Sequence, residues 1–365
     1  MDPEMLLRLA AVVVGTLIAA RALYSAIRTI ILPRSSNDWI TRMAFLAVRF
    51  VLDFIAPPRR PFLWRDRVFA YFGPVGLLAA ALTWLLLVFS GFTLIFWGTG
   101  TRILSHAARE SGSALLTLGF FAPGGALQTA LTFVEAALGL GLAALLVTYL
   151  PTIHGAFSRR EVAVNLLEVR ADSPASAVAM LERFQRLGRW DALHLEWERW
   201  EVWFAELEES HTSIAALAFY RSPRPTNSWI TAAGAVMDAA ALCRSLLDIP
   251  KDVQADLAIR AGFVALRSIA DFFGITYDAH PAQTDGTSVT REKFDLAAFE
   301  LEAAGLPLRE DRNQAFRDFN GWRINYDRTL LAISRLIVAP PAQWNGTAER
   351  ERYGRLGRDA EKVRT

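Results

Sequence analysis

The sequence predicts an all-α membrane protein: an N-terminal anchor helix, an interfacial helix, a span–loop–span unit and an all-helical cytoplasmic domain. Three observations predict it. Hydrophobic residues make up 53% of the 365-residue chain and mean hydropathy is +0.24, which excludes a disordered chain and is too apolar for an ordinary soluble enzyme. Charge then separates along the chain. Residues 1–157 hold 12 Arg against seven acids, a net +5, whereas residues 158–365 hold 27 basic and 30 acidic residues, a net −3. The second half also lacks any period-2 run that would mark a strand. Three segments are expected: 1–67, 68–157 and 158–365.

The first element is Leu6–Leu32, apolar but interrupted by Arg8, Arg21 and Arg28. Arg21 and Arg28 can snorkel to one membrane face along their aliphatic stems. Asp2 and Glu4, with no small-residue cleavage site downstream, favour a signal-anchor helix over a cleaved leader. Residues 33–67 follow with seven Arg (34, 42, 49, 59, 60, 65 and 67) against three Asp. Positive loops stay cytoplasmic, so this loop is expected inside and the N-terminus outside an inner (plasma) membrane. Within it, SSNDWITRMAFLAVRFVLDFIAPP has a helix start signal and a double-proline stop. At 100° per residue Trp39, Ile40, Met43, Leu46, Phe50, Val51 and Phe54 share one face, opposite Asp38, Thr41, Arg42, Arg49 and Asp53. Such a helix suits the bilayer interface; packing on the cytoplasmic domain is the alternative.

The uncharged run Val68–Thr101 exceeds the ~20 residues a helix needs to cross hydrocarbon. The next run, Ser111–Phe157, has one formal charge, Glu135, and is too long for one span, so it is expected to turn before a helix that starts near Gly124 or Gly125. That helix returns Arg159 and Arg160 to the cytoplasm.

Between the two strong spans lies TGTRILSHAARESGSALLTLGFFAPGGALQ. A short polar approach leads into an apolar piece, then Thr117-Leu118-Gly119-Phe120-Phe121, then Ala-Pro-Gly-Gly. Non-helical backbone at membrane depth is stable only where it is buried in protein or lines a wet cavity. A span, a re-entrant half-helix, an extended segment and a second span satisfy that requirement, and this is the plan of a pore loop.

Here the chain resembles the potassium-channel-like pore-loop superfamily, whose filter reads Thr-Val-Gly-Tyr-Gly, with close variants Thr-Leu-Gly-Phe-Gly. Thr117, Leu118, Gly119 and Phe120 match the first four positions. The resemblance covers residues 68–157 and implies a homotetramer in which backbone carbonyls of residues 117–120, with the Thr117 hydroxyl, replace the hydration shell of a monovalent cation such as K+. Phe121 departs from the final glycine, and Ala122 from the usual acid. A side chain at a position demanding positive φ costs about 1–2 kcal/mol, so a weakly selective pore, a non-conducting descendant and a filter of altered shape are all left open.

Gly139 and Gly141 stand where such channels carry a hinge glycine, and Pro151 near the cytoplasmic end also permits bending; close helix packing through small residues explains the glycines equally well. Glu135, an intramembrane carboxyl, is expected to support the filter through Ser111 or Ser113, with direct pore lining the alternative. His106 and His154 fall at the two water interfaces.

The cytoplasmic half reads as helix after helix. RREVAVNLLEVR continues the inner helix, and Ser173-Pro174 starts the next segment. Leu193, Trp197, Trp200, Phe204 and Leu207 form a core stripe. Further helices are expected over 230–247, 253–273, 294–304 and 315–338. His211, Arg221, Arg224 and Trp229 form a candidate anion or ligand site. Asp278, His280 and Asp285 could hold a divalent ion, although solvated loop acids are the commoner reading. The lone Cys243 matches no disulfide, zinc or haem pattern. The tail from Ala348 is dense in both charge signs and reads as frayed helix.

No P-loop, dinucleotide, zincin or nucleophile-elbow motif appears, so no enzyme, no cofactor and no nucleic-acid partner is expected; the partners are the lipid bilayer, further copies of the chain and the permeant cation. Two functions remain in view: a cation channel assembled or gated by its cytoplasmic domain, and a membrane-anchored interaction or signalling protein. A lipid-directed membrane enzyme is a weaker third.

Overall fold

The computed structural model describes residues 3–32, 38–282 and 285–344. These are helical throughout with no strand, Leu247 and Leu308 making one isolated bridge. The helices are α1 (Pro3–Ile30), α2 (Trp39–Ile55), α3 (Phe62–Phe69), α4 (Phe72–Thr99), α5 (Leu104–Leu115), α6 (Ala126–Ala171), α7 (Ala177–Leu187), α8 (Asp191–Ser213), α9 (Trp229–Ser245), α10 (Val253–Phe273), α11 (Arg291–Ala303), α12 (Arg312–Arg323) and α13 (Asp327–Leu336), with a 3-10 turn at Ala215–Phe219. Pro3–Ile30, Phe62–Thr99 and Ala126–Ala171 are long and apolar enough to cross a membrane.

The chain forms two compact units, drawn differently from the three sequence segments. The first takes the described residues of Met1–Pro58 and Tyr71–Gly155; the second takes those of Arg59–Ala70 and Ala156–Thr365. The anchor and α2 join the first unit because both pack on α4. Backbones of α1 and α4 touch: a Cβ on Gly15 would lie 2.4 Å from the Gly91 carbonyl oxygen, and one on Gly98 2.6 Å from that of Arg8. Ala11, Ala19, Ala22 and Ala26 continue this small-residue face of α1. In hydrocarbon, where burial supplies no drive, close van der Waals approach of this kind holds helices together.

A polar knot fixes the third helix. Asp38 caps α2 by accepting from the amides of Ile40 and Thr41, both at 3.1 Å. It also accepts from Ser25 of α1 and, at 2.9 Å, from Arg21. Trp84 of α4 donates to the same Ser25 hydroxyl at 2.9 Å. Arg21, expected to snorkel, is thus paired. Arg34 lies outside the described residues. The apolar face expected on α2 is uncovered by the chain, Phe50 at 76% exposure and Phe54 at 83%, except that Ile40 is buried together with Ala44 and Leu52.

In the second unit α9 is buried nearly all round, with α7, α10 and α12 against it. The α8 stripe is in the core as its spacing requires, with Trp203 added. The helix expected over 315–338 is two helices. Asn325 turns its side-chain amide onto the carbonyls of Gly321 (3.0 Å) and Trp322 (3.1 Å), competing with the helical pattern at the break. Hydropathy does not predict α3; the apolar run predicts one span from Val68, but the helix breaks at Ala70–Tyr71. The charged tail from Ala348 lies outside the described residues.

Candidate functional site

Helix α5 doubles back along α4, and three contacts measure how far. At the top, Gln128 Nε2 near the start of α6 donates to the Thr99 carbonyl at the end of α4, 3.1 Å away. Further down, the Ser111 hydroxyl lies 3.0 Å from the Phe89 carbonyl and 2.5 Å from Glu135 Oε1. Phe89 is ten residues before Thr99 and Glu135 nine after Ala126, so at 1.5 Å per residue both lie about 14–15 Å below that junction. Deepest, Leu115 at the end of α5 abuts Gly139, where a Cβ would stand 2.2 Å from the Leu115 carbonyl oxygen. Gly139 is thirteen residues into α6, about 20 Å down. Residues 116–125 then climb back to Ala126 as non-helical chain. The climb needs about 2 Å per residue, well within the ~3.3 Å per residue of extended backbone.

The turn into that segment is a helix cap. The Leu118 amide donates to the Ser113 carbonyl (2.8 Å) and the Thr117 amide to the Ala114 carbonyl (2.9 Å), the paired bonds that close a helix on a left-handed residue. Glycine normally fills that place. Here it is Thr117, at φ +53°, and Gly119 follows at φ +69°. A β-branched residue there costs about 1–2 kcal/mol. Strain of this kind gathers at functional sites. Phe121, where the sequence places the strain, is not among the positive-φ residues. Its amide is held instead by the Ser113 hydroxyl at 3.3 Å.

The two serines therefore divide the support. Ser111 ties Glu135 to α4 and α5, while Ser113 ties the loop to the tip of α5. Glu135 is fully buried, and its Oε2 has no hydrogen-bond partner. Glu110 is buried too; its Oε2 accepts from Thr101 at 3.0 Å and its Oε1 is likewise unpartnered. The loop itself is bare: Leu118 is 59% and Phe120 65% exposed, and no atom lies within 4 Å of a Cβ placed on Gly119. On α6, Gly139 is enclosed by α5, Gly141 has open space around it, and Pro151 is exposed.

Of the four residues expected as a ligand site, His211 and Trp229 meet, while both arginines are held by carboxylates. His211 is buried with its ring 4.7 Å from Trp229. Its Nδ1 lies 3.0 Å from the Leu207 carbonyl, and its Nε2 accepts from Arg160 at 3.2 Å. Burial, then the Arg160 charge, holds this imidazole well below its usual range and neutral. Arg221 is engaged by Asp66 at 2.6 Å, and Arg224 by Glu168. Asp278 and Asp285 accept from amides of their own loop (His280 and Ala282), and no group of three metal-ligating side chains forms among the described residues. Cys243 is buried and free, and burial pushes its thiol up.

Sequence reasoning missed Asp66 and Arg160. In the sequence Arg160 marks only topology, and Asp66 is one acid in a basic loop; both have partners distant along the chain. No family model, curated protein or solved structure matches the chain.

Proposed function

We propose that the chain is one subunit of a tetrameric, potassium-like cation channel of the inner membrane, with residues 117–120 forming its ion path. The observation that carries this reading is the hairpin of α5 and residues 116–125, which dips about 20 Å alongside α4 and α6 and leaves its unwound tip uncovered. Bare backbone at that depth needs either neighbouring chains or water around it. One loop supplies only one wall of a filter, so symmetry-related copies supply the rest.

Connectivity supports the topology. The chain leaves the second unit at Ala70 to enter α4 and re-enters it at Ala156 from α6. In sequence the helical domain therefore flanks the two crossings, which carry α5 and its loop between them. The positive-inside rule makes the Arg-rich sequence 33–67 cytoplasmic, and α1 then starts outside. The bare apolar face of α2 fits the cytoplasmic interface. Phe121 takes the place of a final filter glycine without its backbone geometry, so coordination is confined to 117–120 and selectivity is weaker than in the superfamily.

Liposome flux tests the reading. The wild-type protein should carry a K+ flux driven by a gradient. Gly119→Ala should abolish it without harming assembly, because the added methyl meets no atom but sits at φ +69°, at about 1–2 kcal/mol per subunit. Absence of wild-type flux, or a detergent-solubilised mass that excludes four copies, contradicts the channel and leaves the membrane-anchored interaction protein.

A further inference from the structure

Within the helical domain, five consecutive residues grip both ends of the hairpin-bearing membrane segment. Arg160 of α6 donates to the carbonyls of Leu217 (2.9 Å) and Tyr220 (2.7 Å), and its side chain is 3% exposed. The next residue, Arg221, donates to Asp66 of α3 at 2.6 Å, both side chains being 12% exposed. Arg221 is itself anchored on the Ile337 and Val338 carbonyls at 2.9 and 3.0 Å.

The covalent chain makes this stretch mechanical. Asp66 stands six residues before α4 begins, and α6 is one uninterrupted helix from Arg160 back through Gly139. A helix carries displacement along its axis, so the Arg160 anchor is linked to the end of α5 over about 32 Å. The two anchors differ. Arg160 is wholly buried and bonded to fixed backbone carbonyls, so releasing it strands a buried charge. Asp66 offers one oxygen to one partner and is the separable half.

We propose that Leu217–Arg221 is a coupling strap, and that release of Asp66 from Arg221 lets the helical domain change the conformation of the loop at 116–121. Its regulatory meaning rests on the channel reading above, although the coupling itself does not require conduction.

The test uses the full chain in lipid nanodiscs and liposomes. Amide exchange is read at 62–70 and at 116–121, with K+ flux alongside. Asp66→Ala should speed exchange at both places and change flux about tenfold, within the usual range of allosteric coupling; Asp66→Glu, which keeps the carboxylate, should largely restore both. Asp66→Asn, retaining an acceptor oxygen, should give a smaller change in the same sense and serves if the alanine variant fails to fold. Faster exchange at 62–70 with the loop unchanged overturns the strap, as does no change at 62–70. A loop that responds in a protein without wild-type flux supports the strap and removes the channel; flux that is present while flux and loop both ignore Asp66→Ala does the reverse.

Discussion

Gly139→Ala should dislodge α5 and abolish the ion path proposed for the loop that follows it. The new methyl would stand 2.2 Å from the Leu115 carbonyl oxygen, 3.0 Å from Leu115 Cδ1 and 3.1 Å from the Leu115 carbonyl carbon. Two of those atoms are backbone and cannot rotate away, so α5 and α6 must separate. Overpacking of this kind costs about 1–3 kcal/mol. Separation also opens the 2.5 Å Ser111–Glu135 contact, and stranding a buried carboxyl costs a further ~1–3 kcal/mol. Gly141→Ala is the control. Its methyl meets nothing, and alanine in place of glycine gains up to ~1 kcal/mol of helix propensity. Thermal unfolding in detergent should therefore fall for the first variant and hold or rise for the second. Equal stability of the two contradicts the register of α5 on α6. The comparison also separates packing from hinging: a hinge at Gly139 predicts altered flux with unaltered stability.

The second large effect is expected at Arg323, in the core of the helical domain. Its side chain is fully buried and bonds Asp238, Asp327 (2.8 Å), Ser288 (3.2 Å) and the Trp344 carbonyl (3.1 Å). Tyr326 donates to Asp238 at 2.8 Å. Burial alone would lower the guanidinium, but Asp238 and Asp327 overcome it and hold the group firmly charged. Arg323→Met fills similar space and leaves two carboxylates buried without their counter-ion, which costs about 3–5 kcal/mol. That is a large share of the ~5–15 kcal/mol that stabilises a domain. Protection against amide exchange should collapse first in α9 and α12, which the network joins, and tryptophan fluorescence should report early release of Trp344. Protection in α9 and α12 equal to the wild type contradicts this role for Arg323.

How much of the fold and site is legible in the sequence depends on the range of the interaction. Local signals serve well. Asp38 and the Pro57–Pro58 pair bound α2, the 3-4 spacing places the α8 stripe, and the glycines at 124 and 125 mark the start of α6 to within two residues. Ser111 is legible only as one of two serines that could meet Glu135 near filter height; which of the two does so is settled by the packing of α5 on α6. Backbone events inside apolar runs are not legible. Hydropathy counts side chains, so it passes over the break at Ala70–Tyr71 and gives no sign that Thr117 takes a glycine's conformation. It leaves the strain assigned to Phe121 instead. Long-range ion pairs are equally hidden. Arg221 and Arg224 look like free cations until the fold brings up Asp66 and Glu168, and the ligand site expected around them loses two of its charges to these partners.

A cryo-electron density map of the full chain in lipid nanodiscs decides whether the unwound loop lines an ion path. A channel requires four copies about one axis, with residues 117–120 unwound at that axis and their carbonyl oxygens directed at ion density. A single protomer, or an assembly in which Leu118 and Phe120 face acyl chains, would contradict it.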